Sequence, residues 1–204
     1  KLEGVVAKFK PDLVVHLAAQ VAVTTSLVDP IHDFETNLSG TLNLLESVRK
    51  YSKARVIFSS TNKVYGNLDA VNFVENSTRY EYLKNNLLGI NESQEFDPHS
   101  PYGCSKGAAD KYLTDYHRSY DVDTVVLRQS CIYGSRQFGI EDQGWIAWFM
   151  ISALLDKKVT IYGDGKQVRD ALFVDDLCEL YLQLGKKNVL RNRVFNVGGG
   201  ANNA

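Results

Sequence analysis

The sequence is poor in cysteine. Its 204 residues include only Cys104, Cys131 and Cys178, and no two of them are spaced as C-x-x-C. Three scattered thiols do not form a disulfide framework, and the missing C-x-x-C pair argues against the usual zinc sites and redox dithiols. We therefore predict no metal centre, and we expect a protein of a reducing compartment, the cytoplasm.

Long apolar runs and an excess of charge of either sign are also missing. The most apolar run, residues 145–155, has eleven residues, whereas a membrane-spanning helix needs about 20. The 23 basic and 24 acidic side chains give a formal net charge of -1. Nucleic acids and anionic membranes select clustered basic surfaces, so neither is an expected partner. The content of 44% hydrophobic residues is typical of a globular domain and excludes a disordered chain.

What the sequence does contain is an alternation of strand-like and helix-like segments. Four short β-branched runs, residues 12–19, 55–60, 123–128 and 193–197, are apolar almost without interruption. Strands of this kind are buried on both faces, which is typical of a parallel sheet covered by helices.

Two long helices are predicted between these strands. Residues 30–51 place apolar side chains at steps of three and four, which predicts an amphipathic helix. A second helix is predicted to begin at Ser100 as N-cap, with Pro101 in the first position, and to end near Tyr120. The alternation predicts a doubly wound α/β fold. The stripes expected to be buried are Ile31, Phe34, Leu38, Thr41, Leu42, Leu45 and Val48 in the first helix, and Ala109, Tyr112, Leu113 and Tyr116 in the second.

Two segments interrupt the alternation. Residues 67–98 are polar and loop-like, and because structureless connections of this length are uncommon, we expect a functional loop, partial helix or disorder there. Residues 133–170 are expected at the open end of the sheet, where α/β folds bind ligands. We therefore divide the chain into a partial dinucleotide-binding core (1–132), a substrate-binding insertion (133–170) and a return to the core (171–204).

The strongest chemical signal is the pair Tyr102 and Lys106 at the start of the second helix. Four residues apart, the two side chains share one helix face. A tyrosine of pKa near 10 is a poor base at neutral pH, but a neighbouring ammonium favours its phenolate form. Such a pair can act as general acid and base on the hydroxyl of a sugar or alcohol.

Thr61 strengthens the interpretation of Tyr102 and Lys106 as a catalytic pair. It follows Ser59 and Ser60 at the carboxyl end of a predicted strand, which is the edge of a parallel sheet that exposes ligands. We therefore expect Thr61 and Tyr102 to hydrogen-bond the same substrate oxygen.

In this order, the motifs resemble those of the extended short-chain dehydrogenase/reductases, the family of nucleotide-sugar epimerases and dehydratases. The resemblance covers essentially the whole chain. It implies a Rossmann-like fold, NAD as cofactor and a redox step at a sugar carbon. The motifs that carry it are residues 16–20 (HLAAQ), 37–46 (NLSGTLNLLE), 59–66 (SSTNKVYG), 102–106 (YGCSK), Arg128, 163–165 (GDG), 169–170 (RD) and 195–199 (FNVGG).

The resemblance also implies a role for each site residue. Tyr102 would take the hydroxyl proton as hydride leaves for the nicotinamide, Lys106 would hold the cofactor ribose and lower the pKa of Tyr102, and Thr61 would orient the substrate hydroxyl. The implied cofactor contacts are Ala18, Ala19, Gln20, Ser59, Ser60, Tyr102, Lys106, Gln129, Ser130 and Cys131. The implied substrate contacts are Thr61, Asn62, Lys63, His99, Gln143 and Arg169, of which Arg169 would grip the nucleotide diphosphate.

Asn62 and Lys63 indicate which branch of the family is the best match. The 4,6-dehydratases carry Asp-Glu at these two positions, and an amide and an ammonium cannot replace the acid and base that expel water. The residues 59–66, 98–110, 133–138 and 142–145 are similar instead to those of CDP-paratose 2-epimerases, also called CDP-tyvelose epimerases. That branch implies oxidation and re-reduction at sugar C2 in lipopolysaccharide O-antigen synthesis. The family resemblance also implies a homodimer or higher homo-oligomer, with helices 30–51 and 101–120 as the surfaces used for dimerisation. A UDP-sugar 4-epimerase is the alternative.

One family motif is not found. Residues 1–30 contain no G-x-x-G-x-x-G turn, which in this family cradles the cofactor pyrophosphate. We therefore expect a fragment that lacks this unit and the end of the substrate region, and the choice between NAD and NADP is open at this point. An alternative of another class is a folded core with Thr61, Tyr102 and Lys106 in place that binds cofactor weakly or not at all.

Overall fold

A four-stranded parallel sheet forms the centre of the computed structural model, which describes residues 1–69, 71–83, 89–186, 190–200 and 203. No helix within these ranges is both long and apolar enough to cross a membrane. The helices are α1 (Leu2–Phe9), α2 (Val23–Val28), α3 (Pro30–Phe34), α4 (Gly40–Tyr51), α5 (Ser100–Tyr120), α6 (Trp145–Leu154) and α7 (Val174–Lys186); the strands are β1 (Leu13–His16), β2 (Arg55–Thr61), β3 (Phe73–Glu75), β4 (Tyr80–Tyr82), β5 (Thr124–Gln129), β6 (Cys131–Tyr133), β7 (Ala171–Phe173) and β8 (Arg193–Val197).

The central sheet has the strand order β1-β2-β5-β8, and every pairing in it is parallel. Its four strands are the four that the apolar runs predict, so the prediction of a parallel α/β sheet is confirmed. All six residues of β5 are buried, as expected for a strand that is covered on both faces. The carboxyl ends of β1, β2 and β5 consequently lie side by side at one edge.

Helices cover both faces of this sheet. Phe58 of β2 packs in one cluster with Leu45 of α4 and Leu113 of α5. Its neighbour Ile57 points the other way and packs in a second cluster with Leu177 of α7. Successive residues of a strand face opposite sides, so the uninterrupted apolar run supplies two cores at once.

The predicted helix 30–51 is divided by a π-helical turn at Glu35–Ser39. A π turn inserts an extra residue, so it rotates the helical segment before it relative to the segment after it. Leu45 and Val48 are buried as predicted, but Ile31 and Phe34 are 66% and 51% exposed, so the predicted stripe is wrong at its start.

The second predicted helix is α5, which begins at Ser100, but the prediction that Ser100 is its N-cap is wrong, because that position belongs to His99, whose side chain forms no capping hydrogen bond. The Ser100 hydroxyl nevertheless accepts a hydrogen bond from the Gly103 amide at 3.2 Å within the first turn. Ala109 and Leu113 are fully buried, but Tyr112 is 42% exposed and the prediction that it is buried is wrong. Leu113 occupies the helix position that faces the sheet, so the preceding residue, Tyr112, points away from the sheet toward solvent.

Residues 67–98 contain a short antiparallel hairpin of β3 and β4 rather than only loop or partial helix. Its two strands have three residues each, too short for a periodic signal. The hairpin is joined to the 163–166 turn by the Tyr80 hydroxyl, which donates to Asp164 Oδ2 at 2.6 Å, and by Lys166 Nζ, which donates to Glu75 Oε1 at 2.6 Å. Residues 70 and 84–88 of the predicted loop lie outside the described residues.

A buried ion pair joins α5 to β5. Arg128 donates through Nε and Nη2 to the two carboxylate oxygens of Asp110, at 2.9 and 3.0 Å. The Ser60 hydroxyl of β2 donates to the same carboxylate, and Arg128 also donates to the Tyr65 hydroxyl. The pair therefore holds three elements together directly beneath the carboxyl edge of the sheet.

His16, the last residue of β1, is buried in the neutral form. Its Nε2 lies 2.9 Å from Thr41 Oγ1. The Thr41 hydroxyl donates to the Asn37 carbonyl, so it accepts from His16, which assigns the ring proton to Nε2. Burial, together with the nearby Lys106 ammonium, lowers the pKa of His16 to about 4.

A pH-dependent stability follows from this burial. The folded pKa of His16 is about 4 and its ordinary value is 6.5, so the unfolded chain takes up the proton first as pH falls, and folding stability is lost between pH 6.5 and pH 4. Between pH 7.5 and pH 5, we expect the unsubstituted protein to lose about 2 kcal/mol more unfolding free energy than His16→Gln. Urea denaturation at both pH values measures the difference, and equal losses would show that His16 does not titrate this way.

Candidate functional site

A cleft of about 540 Å³ opens at the carboxyl ends of β1, β2 and β5. This is the edge at which open α/β sheets bind ligands. Most of the residues that the sequence singles out meet here. The cleft is lined, among others, by Ala19, Ser59, Ser60, Thr61, Asn62, Lys63, Tyr102, Lys106, Gln129, Ser130, Cys131 and Gln143.

Tyr102 and Thr61 face each other in the cleft. The side-chain hydrogen bond from Thr61 lowers the pKa of Tyr102, but burial has the larger effect and, with the Asp33 carboxylate, leaves the pKa raised. The expectation that the site lowers the pKa of Tyr102 is therefore wrong for this state of the protein. The physical reason is that burial disfavours the charged phenolate.

Lys106 is buried one helical turn after Tyr102. Its Nζ donates to the Ser59 carbonyl at 2.5 Å and lies 4.1 Å from the centre of the Phe58 ring. Burial lowers the pKa of Lys106 to about 8, while the carboxylates of Asp110 and Asp33 act in the opposite direction. Lys106 thus lies in the cleft as predicted, but its ammonium is held by the strand end rather than by the tyrosine.

The serines and Gln129 form part of the cleft floor. Ser59 Oγ donates to Gln129 Oε1 at 2.9 Å, and Gln129 Nε2 donates to the Tyr181 hydroxyl at 2.6 Å. The Ser60 hydroxyl points to Asp110 in the core. Tyr181 supports this floor from α7, and nothing in its sequence context indicated such a role.

The loop after β1 anchors the amino-terminal end of α5. Gln20, a predicted cofactor contact, does not line the cleft, because its side chain bonds to the Asp33 carboxylate and the Ala22 backbone. Ser26 of α2 accepts a hydrogen bond from the backbone N–H of Tyr102 at 3.2 Å. These contacts fix where Tyr102 enters the cleft.

Three other predicted residues also lie outside the cleft lining. Ala18 is exposed beside it. His99 is exposed, and its Nε2 lies 2.8 Å from Asp97 Oδ2. Arg169 is exposed, and its Nη1 donates to the carbonyl of Val168. The structure therefore does not bring the predicted diphosphate-binding arginine to the cleft residues.

The second wall of the cleft comes from the loop before α6 and the start of that helix. Gln137 holds this loop, since its Nε2 donates to the Ile132 carbonyl at 3.1 Å. Gly139 lets the loop approach α6 closely, because a Cβ atom at this position would lie 2.4 Å from the backbone nitrogen of Trp148. Sequence reasoning selected only Gln143 from this wall. The family-like motifs at 133–138 and 142–145 could have indicated that the whole loop lines the cleft. The other lining residues here are Glu141, Asp142, Gly144, Trp145 and Ile146.

The arrangement suits proton transfer at a bound hydroxyl. Thr61 and Tyr102 offer two hydroxyl groups side by side, and the Lys106 ammonium supplies positive charge nearby. Among the described residues, no group of three or more His, Cys, Asp or Glu side chains is placed to hold a metal ion. The hydroxyl groups of Thr61 and Tyr102 and the Lys106 ammonium can provide acid–base and hydrogen-bonding chemistry.

Solved structures share this architecture. A UDP-glucose 4-epimerase of Thermotoga maritima, determined with UDP-glucose, is 36% identical with a TM-score of 0.80; the match covers 97% of this chain and 58% of that one. A UDP-glucose 4-epimerase of Thermus thermophilus, determined in complex with NAD, is 35% identical with a TM-score of 0.78, over 97% of this chain and 59% of that one.

Sequence comparison agrees with the structural comparison. The chain is 49% identical over 201 residues to a CDP-paratose 2-epimerase of Salmonella typhi, a match that covers 95% of this chain and 59% of that protein. The chain thus spans less than two thirds of the length of these relatives. The model of the NAD dependent epimerase/dehydratase family matches residues 1–198. The chain therefore belongs to the NAD dependent epimerase/dehydratase family.

Proposed function

We propose that the protein is an NAD-dependent nucleotide-sugar epimerase that inverts C2 of a CDP-dideoxyhexose, interconverting CDP-paratose and CDP-tyvelose. The observation that carries the proposal is the meeting of Thr61, Tyr102 and Lys106 in one cleft at the carboxyl edge of a parallel sheet. The 49% identity to a CDP-paratose 2-epimerase supports the choice of substrate.

The cleft has features that fit the nicotinamide and ribose end of NAD. A buried ammonium and several hydroxyl groups suit the ribose, and Val21, Cys131 and Ile132 add less polar residues to the lining. When bound, NAD supplies the acceptor that takes a hydride from the sugar and returns it. We propose that it is held by the cleft residues Ala19, Ser59, Ser60, Tyr102, Lys106, Gln129, Ser130 and Cys131, with Ala18 and the Gln20 backbone at the margin.

The residues of the chain would move the proton. Thr61 would fix the C2 hydroxyl beside Tyr102, whose oxygen takes that proton when the hydride leaves and returns it after the sugar has presented its other face. Lys106 would bind the ribose hydroxyls and, by its positive charge, oppose the burial that holds the pKa of Tyr102 high. Because Tyr102 both accepts the proton during oxidation and returns it during reduction, no separate acid and base are required.

Asn62 and Lys63 support epimerisation over dehydration. Both line the cleft directly after β2 and are exposed to it. Elimination of water needs a carboxylic acid and a carboxylate at this turn, and these side chains provide neither. The carboxylates that do line the cleft, Glu141 and Asp142, belong to the loop before α6.

The remaining elements of the proposal concern assembly and the rest of the substrate. We propose that residues 133–170 form the substrate-binding insertion, that Gln143 contacts the sugar nucleotide, and that His99 and Arg169 reach it when it is bound. We also propose a cytoplasmic homodimer through the helices at 30–51 and 101–120. An exposed apolar face on the first of these and on α2 supports it: Leu27, Val28, Ile31 and Phe34.

Substrate choice separates the proposal from its main alternative, a UDP-sugar 4-epimerase, which the two solved relatives favour. We expect the full-length protein to epimerise CDP-paratose and to leave UDP-glucose unchanged, as followed by NMR of the anomeric and C2 protons. Turnover of UDP-glucose alone would favour the 4-epimerase. Calorimetric titration with NAD accompanies the assay, and a protein that binds no NAD and converts neither sugar would be a folded core without catalysis.

Tyr102→Phe tests the proposed acid–base group. Only a hydroxyl is removed, so we expect epimerisation to fall by about 10²-fold or more, with the thermal unfolding midpoint changed little. Tyr112→Phe is the matched control, because this tyrosine lies on the same helix outside the cleft lining. Normal turnover by Tyr102→Phe, or an equal loss in both variants, would contradict the assigned role.

A further inference from the structure

Trp145 presents an exposed aromatic side chain at the wall of the cleft. It is the first residue of α6, it lines the cleft, and it is 40% exposed. Its ring lies nearly perpendicular to the Phe149 ring one helical turn later, with the ring centres 5.7 Å apart. The indole is therefore supported by its own helix and still accessible from the cleft, as an aromatic ligand contact must be.

Trp148, the second tryptophan of the chain, has different surroundings. It lies in the same helix, but it is partly buried and does not line the cleft. An isolated exposed apolar side chain on a protein surface needs no explanation. Trp145 is a different case, because it shares the cleft with Thr61 and Tyr102. Of the two indoles, Trp145 is the one that a ligand in the cleft can meet.

The turn that precedes α6 adds two carboxylates to the same wall. Glu141 and Asp142 are its central residues, and two backbone hydrogen bonds between Ile140 and Gln143, at 2.9 and 3.0 Å, close it. Both acidic residues line the cleft and are exposed. Their oxygens are therefore accessible acceptors for hydrogen bonds. We call Glu141 and Asp142 the acidic turn.

The charge of the acidic turn determines which part of a sugar nucleotide it can face. A diphosphate is anionic, and like charges at close range repel each other. A sugar ring carries no charge, and its hydroxyl groups can donate hydrogen bonds to a carboxylate. The wall formed by the acidic turn and Trp145 therefore fits the sugar ring better than the diphosphate.

The indole of Trp145 suits the apolar surface of such a ring. The carbon-bound hydrogens of a sugar form apolar patches, and a dideoxyhexose exposes more of them than an ordinary hexose, because hydroxyl groups are missing from it. Stacking on an indole removes this surface from water. Because Thr61 and Tyr102 line the same cleft, a ring stacked on Trp145 stays in the cavity that holds the reacting groups.

We propose that Trp145 recognises the sugar ring of the substrate, its indole stacking on the C–H surface of the dideoxyhexose while the acidic turn accepts a hydrogen bond from a hydroxyl group that Thr61 and Tyr102 do not hold. The inference rests on the proposed function, since it takes a CDP-dideoxyhexose as ligand. It assigns this wall to the sugar and not to the cytosine base. Trp145 is a binding residue and takes no part in the proton transfer.

Fluorine NMR can observe the two indoles separately without turnover. The full-length protein is labelled with 5-fluorotryptophan and loaded with NAD, and the resonances are assigned by their loss in Trp145→Phe and Trp148→Phe. We expect the Trp145 resonance to shift when CDP-paratose is added and to stay in place with CDP, which lacks the sugar. The Trp148 resonance is the internal control and should move with neither ligand.

Calorimetry with the same two ligands measures what the indole contributes to binding. Trp145→Ala should weaken the binding of CDP-paratose by about fivefold or more, and Trp145→Phe, which keeps an aromatic face, by less. The affinity for CDP should not change in either variant, whereas a general distortion of the cleft would weaken both ligands. Trp148→Phe is the matched control on the same helix and should bind both ligands as the unsubstituted protein does.

Two results would overturn the inference. One is a Trp145 resonance that shifts equally with CDP and CDP-paratose or with neither, and the other is an equal loss of affinity for both ligands in Trp145→Ala. If the unsubstituted protein still epimerises CDP-paratose, either result removes the role of Trp145 and leaves the proposed function intact. If the unsubstituted protein binds neither ligand, the proposed function fails and the inference fails with it.

Discussion

The buried ion pair of Asp110 and Arg128 is the contact on which the site depends. It fixes α5 against β5, and through the Ser60 hydroxyl it also fixes both to the end of β2. Lys106 lies one turn before Asp110 on the same helix, and Tyr102 lies one turn earlier still. The height and rotation of α5 over the sheet thus decide whether these two side chains reach the cleft. Removing one partner of such a pair typically costs about 3–5 kcal/mol, because the other charge is left buried.

The burial of Tyr102 and Lys106 in the cleft also opposes the charged forms that the proposed proton transfer requires. It raises the pKa of Tyr102 and lowers the pKa of Lys106, so that both groups are driven toward their uncharged forms. The cleft counters this with Thr61 next to the tyrosine and with carboxylates near the lysine. Positive charge that enters with a cofactor would further favour the phenolate. Under the proposed mechanism, Tyr102 would therefore become an effective base only when the cofactor is bound.

The sequence predicted the framework well, because the framework is periodic. The four central strands, the start of α5 and the meeting of Thr61 with Tyr102 and Lys106 follow from apolar runs, the Ser100-Pro101 pair and strand ends. The π turn at Glu35–Ser39 and the β3–β4 hairpin did not follow, since each is a local deviation of a few residues.

The polar cage around Asp33 was also beyond sequence reasoning, and so was the position of Arg169. Asn37 lies four residues after Asp33, but Gln20 and Ser105 are distant from it in sequence and reach its carboxylate only after the loop following β1 has packed on α5. No spacing rule encodes such a meeting. The family motifs predict that Arg169 contacts the substrate, but a motif does not state where a side chain lies in the folded chain.

The proposed epimerisation requires transient oxidation of a sugar carbon, with hydride leaving and returning within one site. The most direct measurement uses CDP-paratose labelled with deuterium at C2, incubated with the full-length protein in ordinary water. The deuterium should stay at C2 in both epimers, since the hydride returns to the carbon that lost it. Exchange of the label with solvent at the rate of epimerisation would contradict this mechanism.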